Sequence, residues 1–485
     1  MEYGKDEVSV VHGRGVEIRD TCFFEGAWDG PFGDEKFDAA PMFVGSGARL
    51  DHRGVLFVAP TVMNAYLFSV RRGNRLLISN SLVFLLARTG DEPDPQYPHY
   101  YYDLLEISRR GFSKAPPALT MRSGSEISIL FFHNYLIRPD LSLQFQENGS
   151  REAPGTFQGY FRLLDDTVRL MFSNAGDPRR RWCFRPITTI SQGYDSTAAA
   201  ALAARSGCSE ALTLLGRGER GKLVAERLGL AVTEYQFTDF LKLPGTPEAE
   251  FCAMPLGSNV PLAVMEPQLR GKLLTTGYMG DDIWRRNKRI LSNLRYPQHP
   301  YLREHSLLEF RLRVGFLTLP VSQIGLAHIS AVQRISRSRE MKPWSVGGWY
   351  DGPIPRRILL EAGVPHNLFG VSKIGGAHCY PQEANGMSNS SRKDFMAFCQ
   401  DQSVSLVELE VGPLIRILSR CHSYICRFLA KLPAWLGFFY LPFTRLRLRN
   451  KTHFLAGIQM YTFHWGVARI RHRYEIPPAQ GMPQP

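Results

Sequence analysis

The pattern of apolar and polar positions changes character twice along the chain. In the first part the apolar runs are short and broken by Gly and Pro: residues 54–60 (GVLFVAP) and 65–70 (AYLFSV) lead into Arg71-Arg72-Gly73-Asn74 and a further run, 75–80 (RLLISN). Short runs bounded by turn residues predict strands, here a hairpin. A second β-like passage, 125–137, precedes the polar, Gly- and Pro-containing stretch 147–155, which reads as a linker.

After the linker the period becomes helical. Phe161, Leu164, Val168 and Met171 recur at helix spacing within 156–175, predicting an amphipathic helix. From Pro186 onward, strand, glycine turn and helix alternate, the sequence form of a parallel α/β sheet. Residues 186–190 predict a strand, 191–197 a turn and 198–207 an alanine-rich helix; 211–215 and 223–230 repeat the scheme, and 272–277 supplies a third strand end. Past residue 400 the chain is helical in pattern and basic, closing on a Pro-rich tail, 476–485, expected to be disordered. No internal repeat is visible. The expected organisation is a β-rich α+β domain over 1–150, an α/β domain over 151–400, a helical extension over 401–475 and the tail.

Composition agrees with a folded chain of two or three domains. The 485 residues are 44% hydrophobic, 21% charged and 12% aromatic, which excludes a disordered chain, a collagen-like repeat and a coiled coil. The net charge of +13 favours anionic partners without choosing among them. The basic residues are dispersed and no zinc, homeodomain or RNA-binding motif occurs, so no nucleic-acid partner is expected. The eight cysteines include no CxxC pair and read as reduced, mostly buried thiols. With no signal-like start, they point to the cytoplasm. Even the most apolar segment, 424–446, is interrupted by Arg427, Lys431, Pro433, Pro442 and Arg445, short of the ~18 uninterrupted apolar residues of a spanning helix. The surrounding segment 422–451 mixes aromatics with Arg and Lys. It suits contact with an anionic membrane surface and equally a helix pair packed on the α/β domain, which is the expectation here.

Candidate chemistry concentrates in Ser191-Gln192-Gly193-Tyr194-Asp195-Ser196-Thr197, between a strand and a helix. Backbone N–H groups and hydroxyls meeting at a helix N-terminus make an anion site. Gly193 allows close approach of a phosphate, whereas Asp195 has the wrong charge for phosphate unless a magnesium ion lies between. The plainer alternative is a capped helix.

This segment resembles the pyrophosphate-binding loop, S-G-G-x-D-S, of the asparagine synthetase-like ATP pyrophosphatases, with Gln192 in place of the first glycine. Thr276-Gly277-Tyr278-Met279-Gly280-Asp281-Asp282-Ile283-Trp284 is similar to the family's S-G-E-G-x-D-E-L-F, and Val371-Ser372-Lys373-Ile374-Gly375-Gly376 to its R-x-K-x-G-F, without the arginine. The resemblance implies an adenine nucleotide alpha-hydrolase-like sheet. It also implies a reaction in which a carboxylate is adenylated by ATP, pyrophosphate leaves, and ammonia or an amine displaces AMP. Carried over by position, ATP would be bound by Ile190, Ser191, Gly193, Tyr194, Asp195, Ser196, Thr197, Leu214, Thr276 and Gly277. Magnesium would be held by Asp195, Asp281 and Asp282, and Lys373 would counter charge at the reacting centre. For Lys373 alone a solvated surface lysine, and for the two aspartates an acidic helix N-terminus, are the plainer readings.

Gly216-Arg217-Gly218-Glu219-Arg220-Gly221 is a literal G-x-G-x-x-G with Glu234 and Asp239 downstream, so a dinucleotide-binding protein is a lesser alternative. The passage 54–86 resembles the late hairpin and helix of the family's class II glutamine amidotransferase domain. Glutamine-dependent members carry a cysteine at the processed N-terminus, whereas this chain reads Met1-Glu2-Tyr3 and its first cysteine is Cys22, expected in the core. The domain is therefore expected to be degenerate, without glutaminase activity. The expected function is an AMP-forming carbon–nitrogen ligase acting on a small carboxylate and on ammonia or an amine. A catalytically inactive protein that binds a nucleotide or a partner is the alternative.

Overall fold

The structure is a computed structural model that describes residues 2–3, 8–100, 103–104, 118–216, 221–254, 259–286, 307–348, 350–370, 386–404 and 459–474. Its amino-terminal half is two antiparallel sheets laid face to face. The first sheet contains β1 (Glu2–Tyr3), β2 (Val8–Ser9), β7 (Leu67–Arg72), β8 (Arg75–Ser79), β9 (Ala118–Thr120) and β10 (Glu126–Leu130), in the order β2-β1-β8-β7-β10-β9. The second contains β3 (Glu17–Ile18), β4 (Cys22–Trp28), β5 (Phe43–Asp51), β6 (Gly54–Val58), β11 (Asn134–Ile137) and β12 (Leu143–Gln146), in the order β12-β11-β6-β5-β4-β3. The expected hairpin forms between β7 and β8: Arg72 faces Arg75 across a two-residue turn in which Gly73 takes φ +57°.

Strand alternation explains the layering. Leu67, Leu76, Ile78 and Leu130 of the first sheet meet Val55, Phe57, Tyr135 and Ile137 of the second in one buried cluster. The opposite face of the second sheet carries packed aromatics, Phe24 and Phe37 at 4.9 Å among them. Helix α1 (Leu82–Thr89) covers the first sheet; Ser81 Oγ caps it by accepting from Phe84 N at 2.9 Å, and Gly90 ends it at φ +67°.

No helix or strand occurs between β12 and Phe157. Helix α2 (Phe157–Ala175) follows, capped by Thr156. Its buried face is Phe157, Tyr160, Leu164, Val168, Met171 and Phe172, and Phe161 lies at its margin, so the expected stripe is displaced by one residue at its start.

The second half is built on a five-stranded parallel sheet in the order β15-β14-β13-β16-β17: β13 (Arg185–Thr189), β14 (Glu210–Leu215), β15 (Ala231–Gln236), β16 (Lys272–Thr276) and β17 (Leu317–Pro320). Successive residues of one strand serve opposite faces. Ala211 and Leu273 join the core beneath α3 (Tyr194–Arg205), whereas Leu212 and Leu274 join Ile187, Phe251 and Phe310 on the other side. Burial on both faces is why these strands read as unbroken apolar runs. Around the sheet lie α4 (Gly221–Arg227), α5 (Pro247–Cys252), α6 (Gly280–Ile283), α7 (Leu308–Val314), α8 (Pro353–Glu361) and α9 (Asn389–Asp401).

The last described helix, α10 (Gln459–Ile470), is part of the core. Trp465 is fully buried and its Nε1 donates to Asp394 Oδ2 at 2.7 Å. A Cβ at Gly466 would lie 2.6 Å from Ala253 N, so only glycine permits this crossing with the end of α5. The same segment reaches the first half: His464 Nε2 contacts Asp94 O at 2.9 Å and Arg471 Nη1 donates to Asp91 O at 3.0 Å. The halves also meet directly where Ser81 Oγ donates to Glu309 Oε1 at 2.7 Å and Met63 N to Gln323 Oε1 at 2.8 Å. Among the described residues no helix is long and apolar enough to cross a membrane.

Candidate functional site

In the parallel sheet the chain steps from β13 to β14 on one side, while β16 adds on the other. The ends of β13 and β16 therefore flank the point where strand order reverses, a crevice that open α/β sheets offer to ligands. Both sequence motifs emerge there. The loop after β13 is Ser191-Gln192-Gly193, and the loop after β16 is Gly277-Tyr278-Met279.

The two loops are in contact, and glycine is the reason they can be. A Cβ on Gly277 would fall 2.3 Å from the carbonyl carbon of Asp195 and from Ser196 N; one on Gly280 would fall 2.5 Å from Asp195 Oδ1. Between the two glycines, Met279 sits in the left-handed region at φ +67°, a conformation that costs a non-glycine residue about 1 kcal/mol or more and turns the chain into α6.

Hydroxyls brace the first loop. Ser191 Oγ and Ser196 Oγ lie 2.6 Å apart, Gly193 N donates to Ser191 Oγ at 3.1 Å, and Thr197 Oγ1 donates to Ser191 O at 2.9 Å and also to Gly193 O. Gly193 precedes the first turn of α3 in extended conformation and offers no side-chain cap. The helix N-terminus keeps its partial positive charge for another acceptor.

Charge and aromatic rings gather around Asp195. Tyr194 stacks on Tyr350, ring centroids 4.3 Å apart and planes 30° apart. Burial raises both phenols far above their usual range, and the Asp195 carboxylate is the next cause in each case. Tyr350 also senses Asp281 and Arg285. Asp195, Asp281, Arg285, Tyr194 and Tyr350 thus face one region, in which Arg285 Nη2 stands 3.3 Å from Asp281 Oδ2.

The three carboxylates expected at a metal, Asp195, Asp281 and Asp282, differ in exposure. Among the described residues no three His, Cys, Asp or Glu side chains gather as a cation site. Asp195 and Asp281 are half-buried beside the shared region, whereas Asp282 is 4% exposed in the short α6, because adjacent positions of a helix turn point different ways. Two carboxylates still fit magnesium, which ordinarily takes one or two from the protein and the rest of its shell from phosphate and water.

Of the other expected nucleotide contacts, Ile190 is buried with its N–H on Leu212 O at 2.9 Å, Leu214 is half-buried on β14, and Thr276 is buried at the end of β16. Lys373 lies outside the described residues, as do the segment 422–451 and the expected tail. The chain does approach the first loop shortly before that lysine: Gly370 N donates to Gln192 O at 2.8 Å, with Gly370 at φ +63°. Tyr350, Arg285 and the Gly370 contact are not foreseeable from motif spacing, since each reaches the site by tertiary packing.

The remaining candidates find packing roles. Gly221 lies where a Cβ would be 2.7 Å from Thr213 Oγ1 and 3.0 Å from Ile190 O, which accounts for the last glycine of the G-x-G-x-x-G string. Asp239 accepts from Gln236 N and pairs with Lys242 at 2.9 Å, while Glu234 lies on edge strand β15; residues 217–220 are outside the described set. Cys22 is buried among aromatics on β4 and burial raises its thiol pKa, the behaviour of a core residue. No protein-family model matches the chain, and no curated protein matches it.

Proposed function

We propose that this chain is an asparagine synthetase-like ligase that adenylates a carboxylate with ATP, releases pyrophosphate, and transfers the acyl group to ammonia or an amine. The observation that carries the reading is the seating of Gly277 and Gly280 against Asp195. It brings two sequence-distant motifs, each resembling its family counterpart in order, to one crevice at the strand-order reversal.

The residues suit such a reaction. The carboxylate oxygen attacks the α-phosphorus, the bond to the β-phosphate bridge oxygen breaks, and pyrophosphate carries away the electron pair. The amine then attacks the acyl carbon and AMP leaves, the nitrogen losing a proton. The N-terminal turn of α3, with Ser191 and Ser196, faces the departing phosphates with N–H and O–H donors. Asp195 and Asp281 would hold magnesium, which when bound offsets phosphate charge as a Lewis acid. Lys373 would add a cation. The β-sheet half, with Cys22 buried and no motif-bearing nucleophile, is proposed as a degenerate amidotransferase-like scaffold without glutaminase activity.

A second reading rests on Asp281. Its carboxylate is already paired with Arg285, which suits a protein that binds a nucleotide without turning it over. ATP–pyrophosphate exchange separates the two. With magnesium and a panel of carboxylic acids, the ligase exchanges labelled pyrophosphate into ATP and forms AMP, and Asp195→Ala abolishes both. Nucleotide binding without exchange across the panel would favour the second reading.

A further inference from the structure

Beside the helix N-terminus of the site lies a charge that takes no part in the proposed reaction steps. Arg356, on α8, is 5% exposed, yet its Nε has no hydrogen-bond partner and its guanidinium has no acidic partner among the described residues. Its neighbour on the helix behaves in the ordinary way: Arg357 pairs with Glu340 at 2.9 Å and with Glu361 at 2.7 Å. Among the described residues, the ring of Phe369 lies beneath Arg356, 5.6 Å from Cζ to the centroid.

Its position makes the solitude informative. The nearest atom to a Cβ built on Gly370 is Arg356 Nη2 at 3.4 Å, followed by Tyr194 Cδ1 at 3.6 Å and Tyr194 Cβ at 3.7 Å. Tyr194 is the first residue of α3, and Gly370 N is bonded to Gln192 O. The guanidinium and the Tyr194 side chain thus flank one point beside Gly370, the residue that closes the loop at the start of the twelve-residue helix α3. Arg285, the other guanidinium of the region, is engaged with Asp281. A buried cation without an anion is costly, by several kcal/mol, unless a ligand brings the counter-charge.

We infer that Arg356 and the N-terminal turn of α3 together form the receptor for the pyrophosphate portion of the nucleotide, with the guanidinium fork donating to its non-bridging oxygens. The inference rests on the ligase reading for the identity of the nucleotide, but the anion site itself does not need it. A planar fork of N–H donors matches two phosphate oxygens at once, and Phe369 beneath it fixes the plane. Positive charge of this kind stabilises a departing pyrophosphate more than an intact α-phosphate ester.

The test measures calorimetric binding of magnesium pyrophosphate, magnesium ATP and AMP to the full chain and to Arg356→Met and Arg356→Lys, together with ligand-free thermal melting. Arg356→Met is expected to weaken pyrophosphate and ATP by at least about tenfold and to leave AMP within about twofold. Without ligand it should melt at or above the wild type, because an uncompensated charge has been removed. Arg356→Lys, which keeps the charge without the fork, should fall between them and carries the comparison if the methionine variant does not fold. Equal losses for ATP and AMP, or unchanged pyrophosphate binding, overturn the inference. Wild-type protein that binds pyrophosphate but not ATP would overturn the ligase reading and leave the anion site standing. ATP binding that is indifferent to Arg356 would do the reverse.

Discussion

Arg285 Nη2 stands 3.3 Å from Asp281 Oδ2, four residues earlier in the chain, so the acid proposed to hold magnesium has a built-in competitor for the ion. Opposite substitutions should then act in opposite directions. Asp281→Asn is expected to raise the magnesium concentration for half-maximal ATP–pyrophosphate exchange by about tenfold or more, as one of two hard oxygen ligands is lost. Arg285→Gln should lower it. A magnesium titration of the three proteins reads both, and equal requirements throughout would remove Asp281 from the ion.

The contact between the two motif loops leaves no space for a methyl group. Gly277→Ala puts a carbon into the backbone of Asp195 and Ser196, and overpacking of this kind costs about 1–3 kcal/mol. Urea unfolding should show that loss. Exchange activity should fall further than stability, because the loops must separate to relieve the clash; the neighbouring Tyr278→Phe, which adds no such atom, serves as the control.

His464 gives the last helix a pH dependence. Burial is the main cause that holds its pKa below the ordinary value of 6.5, so the folded protein binds fewer protons there than the unfolded chain. The stability contributed by the neutral ring is present above 6.5 and is lost as pH falls through the depressed folded value. The difference in melting temperature between neutral and mildly acidic buffer should shrink in His464→Gln. An unchanged difference would place the acid sensitivity elsewhere.

Trp465 is fully buried between helices, and its Nε1 donates to Asp394. Trp465→Ala is expected to cost about 3–5 kcal/mol by chemical denaturation. Asp394→Ala should cost less, since it removes the acceptor of a bond whose indole keeps its packing.

Legibility followed the range of the interactions. Strands β13, β14 and β16 appear within a residue of their expected bounds, because continuous apolar runs closed by glycine reflect local and layer-wide burial. The helix after β13 starts at Tyr194, inside the segment expected to turn: Thr197 and Ser191 close the loop within the first helical turn, which hydropathy does not register. Phe161 was displaced from the buried stripe by Tyr160, whose hydroxyl donates to Ile324 O at 3.2 Å and accepts from Trp284 Nε1 at 2.9 Å. Those partners lie far along the chain. Asp195 and Asp281 could be singled out by motif, whereas Arg356 and Tyr350 sit in no recognisable string and acquire meaning only through the packing of α8, and of the chain just before it, against Tyr194. The burial of Asp282 has the same origin, since a motif match does not reveal which of two adjacent acids faces the crevice.

The docking of α10 also has a bearing on biosynthesis. Glu250 is 4% exposed and is met by Arg473 as well as Arg313, and Glu309, 2% exposed, accepts from Tyr474 Oη at 2.6 Å. Both acids sit in helices synthesised well over a hundred residues before Arg473 and Tyr474. A nascent chain on the ribosome must carry these carboxylates incompletely paired until residues 459–474 emerge. A chain that stops shortly before Tyr474, far from any proposed chemistry, would accordingly leave the buried Glu309 without its phenol donor and should melt below the full chain.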